Sequence, residues 1–294
     1  MTQPLLPDLE TTLLQHLKQL TRERDPFLAR AGHFYVQQYL GQQFDQISQA
    51  TPGNSSTSHS FEFQGRTHQN LILSCPVPSP QRGSQQGLLL IGAHYDAVPG
   101  SPGADDNATG LAALLVLAAA LSAQPLPYPV QFVAFDLEEY GLLGSRAYVE
   151  TLRQQQTPIR LMISLEMLGY CDSAPYSQRY PPGLKYFYPK QGDFIALIGN
   201  WPTLPDLLRL SRAIRRTGTA CEWLPAGRRG QIVPDTRRSD HAPFWDAGYP
   251  ALMVTDTANL RNPHYHQPTD RLETINLQFL AGVCRGLIAG LQRL

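Results

Sequence analysis

Long apolar runs, clustered cysteines and an excess of one charge are all missing from this chain. No stretch approaches the ~18 consecutive apolar residues expected of a membrane-spanning helix. The opening, Met1-Thr2-Gln3-Pro4-Leu5-Leu6-Pro7-Asp8, has no basic head followed by an apolar stretch. No signal peptide is therefore expected, and a cytoplasmic address is the default. Basic and acidic residues number 24 each, for a formal net charge of +0. That balance argues against a nucleic-acid or membrane-surface partner. The short basic pairs Arg228-Arg229 and Arg237-Arg238 read as solvated loop. Cys75, Cys171, Cys221 and Cys284 are too widely spaced for a zinc finger or a redox motif. They read as ordinary buried thiols of a reducing compartment, with nothing to force a disulfide.

What is present is core. A length of 294 residues with 42% hydrophobic content suits one large α/β domain. Residues 8–45 read as an N-terminal segment of two amphipathic helices packed on that domain. Leu13, Leu14, Leu17 and Leu20 mark the first; Phe27, Leu28, Ala31, Phe34, Tyr35 and Tyr39 mark the second, which opens near Asp25-Pro26. Residues 50–60 read as a loop, 61–63 and 70–75 as strands, and 76–86 as another loop. From residue 87 the rhythm changes. Short continuous apolar runs at 88–91, 130–135, 161–165, 194–198 and 251–254 suit strands buried on both faces. Helical patterns at 111–121, 143–155, 205–216 and 275–294 lie between or after them. This alternation predicts a three-layer α/β sandwich, a central mostly parallel mixed sheet flanked by helices. The Tyr- and Pro-rich stretch 171–192 reads as a long surface loop. Its Tyr176, Tyr180, Tyr186, Phe187 and Tyr188 serve either loop packing or a substrate pocket.

The residues able to do chemistry follow strand ends. His94 and Asp96 follow the run 88–91, Glu138 and Glu139 follow 130–135, and Glu166 follows 161–165. In open α/β sheets the carboxyl ends of the strands form the binding rim. With Asp106 and His266 these residues make a plausible ligand set for two zinc ions sharing one carboxylate, leaving a further carboxylate as general base. Spacing alone leaves His264 a rival to His266, since both flank Tyr265.

Five motifs together resemble the co-catalytic zinc aminopeptidases of metallopeptidase family twenty-eight, which also holds the zinc-dependent glutaminyl cyclases. They are His94-Tyr95-Asp96, Gly103-Ala104-Asp105-Asp106-Asn107-Ala108-Thr109-Gly110, Glu138-Glu139-Tyr140-Gly141-Leu142-Leu143-Gly144-Ser145, Ser239-Asp240-His241 and His264-Tyr265-His266. The likeness spans roughly residues 87–290. It implies that His94 and Glu166 bind one zinc and Glu139 and His266 the other, with Asp106 bridging and followed by a cis peptide bond. It makes Glu138 the general base and later proton donor. Asp96 would hydrogen-bond the second nitrogen of His94, and Asp240 and His241 would stand behind the ligands or near substrate. The pattern through Asn262-Pro263 and Thr269-Asp270 favours His266 over His264. One departure stands out: Glu166 occupies a position that is usually Asp in the aminopeptidases. The implied activity is removal of N-terminal residues from peptides, with two zinc ions per chain. The alternatives are a one-zinc glutaminyl cyclase and, more distantly, a non-enzymatic binding module. Oligomeric state is left open.

Overall fold

The computed structural model describes residues 9–77 and 87–294. Most of the expected 76–86 loop, and residue 8, fall outside them. Helix α1 (Leu9–Leu20) buries Leu9, Leu13, Leu17 and Leu20 on one stripe, the three-to-four-residue spacing of a half-buried helix. Helix α2 (Arg30–Ala50) starts later and runs further than its apolar pattern suggested, and buries Val36, Leu40 and Phe44. Leu28 and Phe34, expected on the buried stripe, are exposed. The Asp25 carboxylate accepts the N–H groups of Phe27 and Leu28 and forms a separate turn ahead of the helix.

One eight-stranded sheet follows, built from β1 (Ser55–Phe63), β2 (Arg66–Cys75), β3 (Leu88–His94), β4 (Val130–Phe135), β5 (Ile159–Glu166), β6 (Ile195–Gly199), β7 (Cys221–Pro225) and β8 (Ala251–Thr255). The spatial order is β1-β2-β4-β3-β5-β8-β6-β7. The centre, β4-β3-β5-β8, is parallel; β1, β2 and the β6–β8 contact are antiparallel. The chain is thus the expected α/β sandwich, with two corrections at the sheet edges. Residues 55–60 are strand rather than loop, and β7 was not anticipated. Neither edge strand is buried on both faces, so neither carries the apolar run that marks the centre.

Helices α3 (Gly110–Ala123), α4 (Leu143–Gln154), α5 (Leu204–Arg216), α6 (His241–Asp246) and α7 (Leu277–Leu291) complete the layers. Alternate residues of each central strand feed opposite faces. Leu89 and Ile91 pack with α1, α3 and α7 residues, whereas Leu88 and Leu90 pack with Tyr148, Leu152, Phe244 and Trp245. The 104–123 stretch is apolar enough and long enough to cross a membrane by composition, but 83% of it is buried. It has the environment of a core helix packed against the sheet, α1 and α7. All four cysteines are unpaired.

Candidate metal centre and active site

Strands β3 and β5 are parallel neighbours, so His94 and Glu166, their last residues, reach the same rim. β4 pairs parallel with β3 on its other side and delivers Glu138 and Glu139 three and four residues past Phe135. At the rim, His94 Nε2 lies 3.3 Å from Asp106 Oδ1 and 3.6 Å from Glu166 Oε2. His266 Nε2 lies 3.2 Å from both Asp106 Oδ2 and Glu139 Oε2. Asp106 turns one oxygen to each histidine, and the peptide bond after it is cis. Ligand atoms of His94, Glu138 and Glu166 fall within 4.8 Å of one another, as do those of His94, Asp106 and Glu139.

Several of these atoms are buried without a hydrogen-bond partner: His94 Nδ1, Asp106 Oδ1, Glu139 Oε1 and His266 Nε2. An unpaired buried polar atom costs roughly 1–3 kcal/mol. Imidazole and carboxylate donors converging in this way fit a divalent transition-metal ion such as zinc.

The charge balance points the same way. Burial alone would depress His266, but its contacts with Asp106 and Glu139 outweigh that and carry it up to about 10. His94 is likewise buried, and the carboxylates of Glu166, Glu138, Asp106 and Asp96 hold it well above its ordinary value. Burial and neighbouring Asp106 push Glu139 up to about 7. Burial, reinforced by Glu139, Glu166 and Asp240, raises Glu138 well above the carboxylate range against the pull of His94. A divalent cation binding there would compete with protons for both imidazoles.

The loops carrying these side chains are pinned by their own backbone. Asp96 lies 3.4 Å from His94 Nδ1, without hydrogen-bond alignment. Its two oxygens accept the N–H groups of Glu138 and Glu139 at 3.0 and 3.1 Å. Asp96 therefore holds the Glu-Glu turn more directly than it orients the imidazole. Asp270 does the same for the other loop, accepting the N–H groups of Asp105 and Asp106 at 2.9 and 3.0 Å. Asn107 ties that loop to the end of β5, donating to the Leu165 carbonyl and accepting the Met167 N–H. A Cβ on Gly110 would fall 2.2 Å from the Asn107 side-chain oxygen, so this knot requires glycine there. Ser239 donates to Glu166 Oε2 at 2.8 Å and meets Ser164 at 2.9 Å. Leu137, Met167 and His266 take left-handed backbone angles at or beside ligand positions, with φ 56°, 51° and 58°. Such conformations cost free energy in non-glycine residues and gather where the surroundings over-determine the geometry.

The remaining candidates separate. Asp240 is fully buried; neither oxygen has a hydrogen bond of good geometry, Ser145 is its polar neighbour, and it feels His94, Glu166 and Asp96 electrostatically. Burial foremost pushes it up to about 7. His241 points elsewhere: Nε2 meets the Thr236 carbonyl at 2.7 Å, and the ring meets Trp245 edge-on. It opens α6 and belongs to that helix's packing. His264 binds the Thr269 hydroxyl at 2.9 Å, and no ion pair among the described residues includes it. The roles of Asp270, Asn107, Ser239 and Ser164 were not foreseen from sequence. Asp270, Asn107 and Ser239 lie inside the motifs named above, whereas for Ser164 the signal is a serine within the buried run 161–165.

An apolar cavity of about 100 Å³ opens beside Glu166 and Tyr265. Ala196, Ile198 and Met253 form part of its lining from the sheet, and Tyr180, Leu184 and Tyr188 from the 171–192 loop. The loop's aromatic residues thus divide: Tyr180 and Tyr188 line the cavity, whereas Tyr176, Tyr186 and Phe187 are exposed.

The profile of peptidase family M28 matches residues 70–196 and 212–289. "Uncharacterized protein YfbL" of Escherichia coli is 36% identical over 251 residues, covering 80% of this chain and 74% of its own. Aminopeptidase YwaD of Bacillus subtilis is 29% identical, covering 74% of this chain but only 43% of its own length. Among solved structures, BSAP, a zinc aminopeptidase from Bacillus subtilis, superposes with a TM-score of 0.58 at 27% identity, covering 79% of this chain and 51% of that one. Porphyromonas gingivalis glutaminyl cyclase superposes at 0.65 with 20% identity, covering 97% and 96%, a likeness of fold. The chain belongs to peptidase family M28, a family of hydrolases.

Proposed function

We propose that this chain is a zinc-dependent aminopeptidase that removes the N-terminal residue of a peptide, with two zinc ions held on the rim. The observation that carries this reading is Asp106, whose two oxygens face His94 and His266 at 3.3 and 3.2 Å. His94, Glu166 and Asp106 would hold one ion, and Glu139, His266 and Asp106 the other. Zinc bound there supplies Lewis acidity toward the scissile carbonyl and acidifies water. The chain's own part is proton transfer and orientation. Glu138 would take a proton from the attacking water and return it to the leaving amine as the C–N bond breaks. Asp96 would keep Glu138 aimed through the N–H it accepts. The apolar cavity beside Glu166 would receive the side chain of the residue being removed.

The test joins metal analysis with hydrolysis of a panel of aminoacyl-anilides before and after chelation. Two zinc per chain with chelator-sensitive anilide release supports the reading. The second reading is a glutaminyl cyclase, the activity named for the Porphyromonas gingivalis neighbour that shares this fold. It is told apart by mass: a glutamine-started peptide loses ammonia if cyclised and a whole residue if hydrolysed. One zinc with ammonia loss alone would replace the aminopeptidase by the cyclase.

A further inference from the structure

Arg24 is fully buried in the short link between α1 and α2, ahead of the stretches matched to the family. A buried guanidinium is tolerated only when its donors are met. Nε donates to the Tyr95 carbonyl at 3.0 Å. Nη1 donates to the Pro102 carbonyl at 2.7 Å, and Nη2 to those of Gly103 and Asp106 at 2.9 and 3.1 Å. Contacts with the Leu20 and Arg22 carbonyls, both at 3.3 Å, tie the group to its own segment. One planar cation therefore spans the backbone next to His94 and the backbone of Asp106. Gly103 permits the approach: its φ is 57°, and a Cβ there would fall 2.7 Å from both terminal nitrogens and 2.3 Å from the Asp106 carbonyl oxygen. The next residue grips the opposite loop. Asp25 Oδ2 accepts the hydroxyl of Tyr140, the neighbour of Glu139, at 2.6 Å.

We infer that Arg24 is a positioning residue for the metal centre, its fork setting the separation of His94 from Asp106 and thereby zinc affinity. This rests on the two-zinc reading above. Charge by itself argues for the opposite effect. A cation beside a divalent-ion site repels the ion, so removing it without moving anything would tighten binding. A loss of affinity on removing Arg24 therefore reports geometry. A lysine keeps the charge but replaces the rigid fork by a point donor on a flexible stem, so it should not restore the span.

The test compares full-length wild type with Arg24→Met, Arg24→Lys and Leu13→Ala. Zinc affinity is measured by chelator competition, and the ligand field by visible absorption of the cobalt-loaded proteins. Leu13 is buried in α1, and its truncation loosens that helix without removing the guanidinium. The expected result is a roughly 10–100-fold weaker zinc affinity in Arg24→Met, the range seen when groups supporting metal ligands are removed. Arg24→Lys should weaken it several-fold, and both should alter the cobalt spectrum. Leu13→Ala should melt at a lower temperature yet stay within about twofold of wild type in affinity. Unchanged or tighter binding in Arg24→Met overturns the inference. So does an equal loss in Leu13→Ala, which would assign the effect to helix packing. If Arg24→Met does not fold, Arg24→Lys decides, and wild-type affinity with an unshifted spectrum overturns the inference. Wild-type protein that binds no zinc would instead remove the two-zinc reading itself.

Discussion

The two halves of the candidate centre are built differently. His94 and Glu166 end adjacent parallel strands, and their side chains are 1% and 9% exposed. Ser239, backed by Ser164, fixes Glu166 in place. His266 comes from a long connection after β8, holds a left-handed backbone angle, and its side chain is 33% exposed. One half is therefore defined by the sheet and the other by loops, with Asp106 common to both. The lesson is that strand-borne ligands inherit the rigidity of the core. Loop-borne ligands must be held by local bonds and exchange more readily with water.

The comparison can be broken most severely at the residue both halves share. Asp106→Ala should lose zinc from both halves and abolish activity; metal analysis showing full zinc in that variant would refute the sharing. Glu138→Gln should lower kcat by roughly 10²–10⁴-fold, the usual worth of a general acid–base group, while zinc content stays at the wild-type level. Steady-state kinetics with parallel metal analysis would check both halves of that statement.

The asymmetry itself comes next. His266→Ala should leave about one zinc per chain, and graded chelation of wild type should remove the ion of the open half first. Ser239→Ala should weaken zinc at the closed half by roughly 10–100-fold and leave the open half unaffected. Equal effects on both ions, followed by stepwise metal titration, would dissolve the distinction. The smallest effect is on pH. The neighbouring carboxylates carry His266 up to about 10 and hold His94 above its ordinary value, so protons compete with metal for both imidazoles. Zinc must displace those protons, so affinity should rise between pH 6 and 8, with proton release seen as buffer-dependent binding heats. An affinity that falls over that range would contradict the assignment of the histidines as ligands.

Much of this architecture was legible because burial leaves a mark on sequence. The central strands are doubly buried and announce themselves as apolar runs, whereas β1 and β7 lie at the edges and do not. The second helix was misjudged because its apparent stripe included Leu28 and Phe34, which face solvent, ahead of the Val36, Leu40 and Phe44 stripe that packs. The sequence offers His94, Asp106, Glu138, Glu139, Glu166 and His266, and their side chains converge. The groups that hold them were harder to see. Asp96 lies beside the His94 ring as its place in the motif implies, at 3.4 Å, but it also accepts the backbone N–H groups of Glu138 and Glu139, and nothing in a sequence tells that a carboxylate facing a ring also faces a peptide N–H. His241 stood beside Asp240 in the same motif, yet the helix turn sends one toward His94 and the other into Trp245.

The sequence by itself determined the layer order, the rim on which chemistry sits, and the residue types offered there. Those follow from local periodicity and from the order in which strand ends meet acids and histidines. Only the tertiary structure decided which oxygen of Asp106 faces which histidine. It alone brought Arg24 under a loop nearly eighty residues away, at 2.9 Å from the Gly103 carbonyl. Hydrogen bonds between segments distant in the chain have no periodicity to betray them, because they depend on where the packed core places each backbone carbonyl.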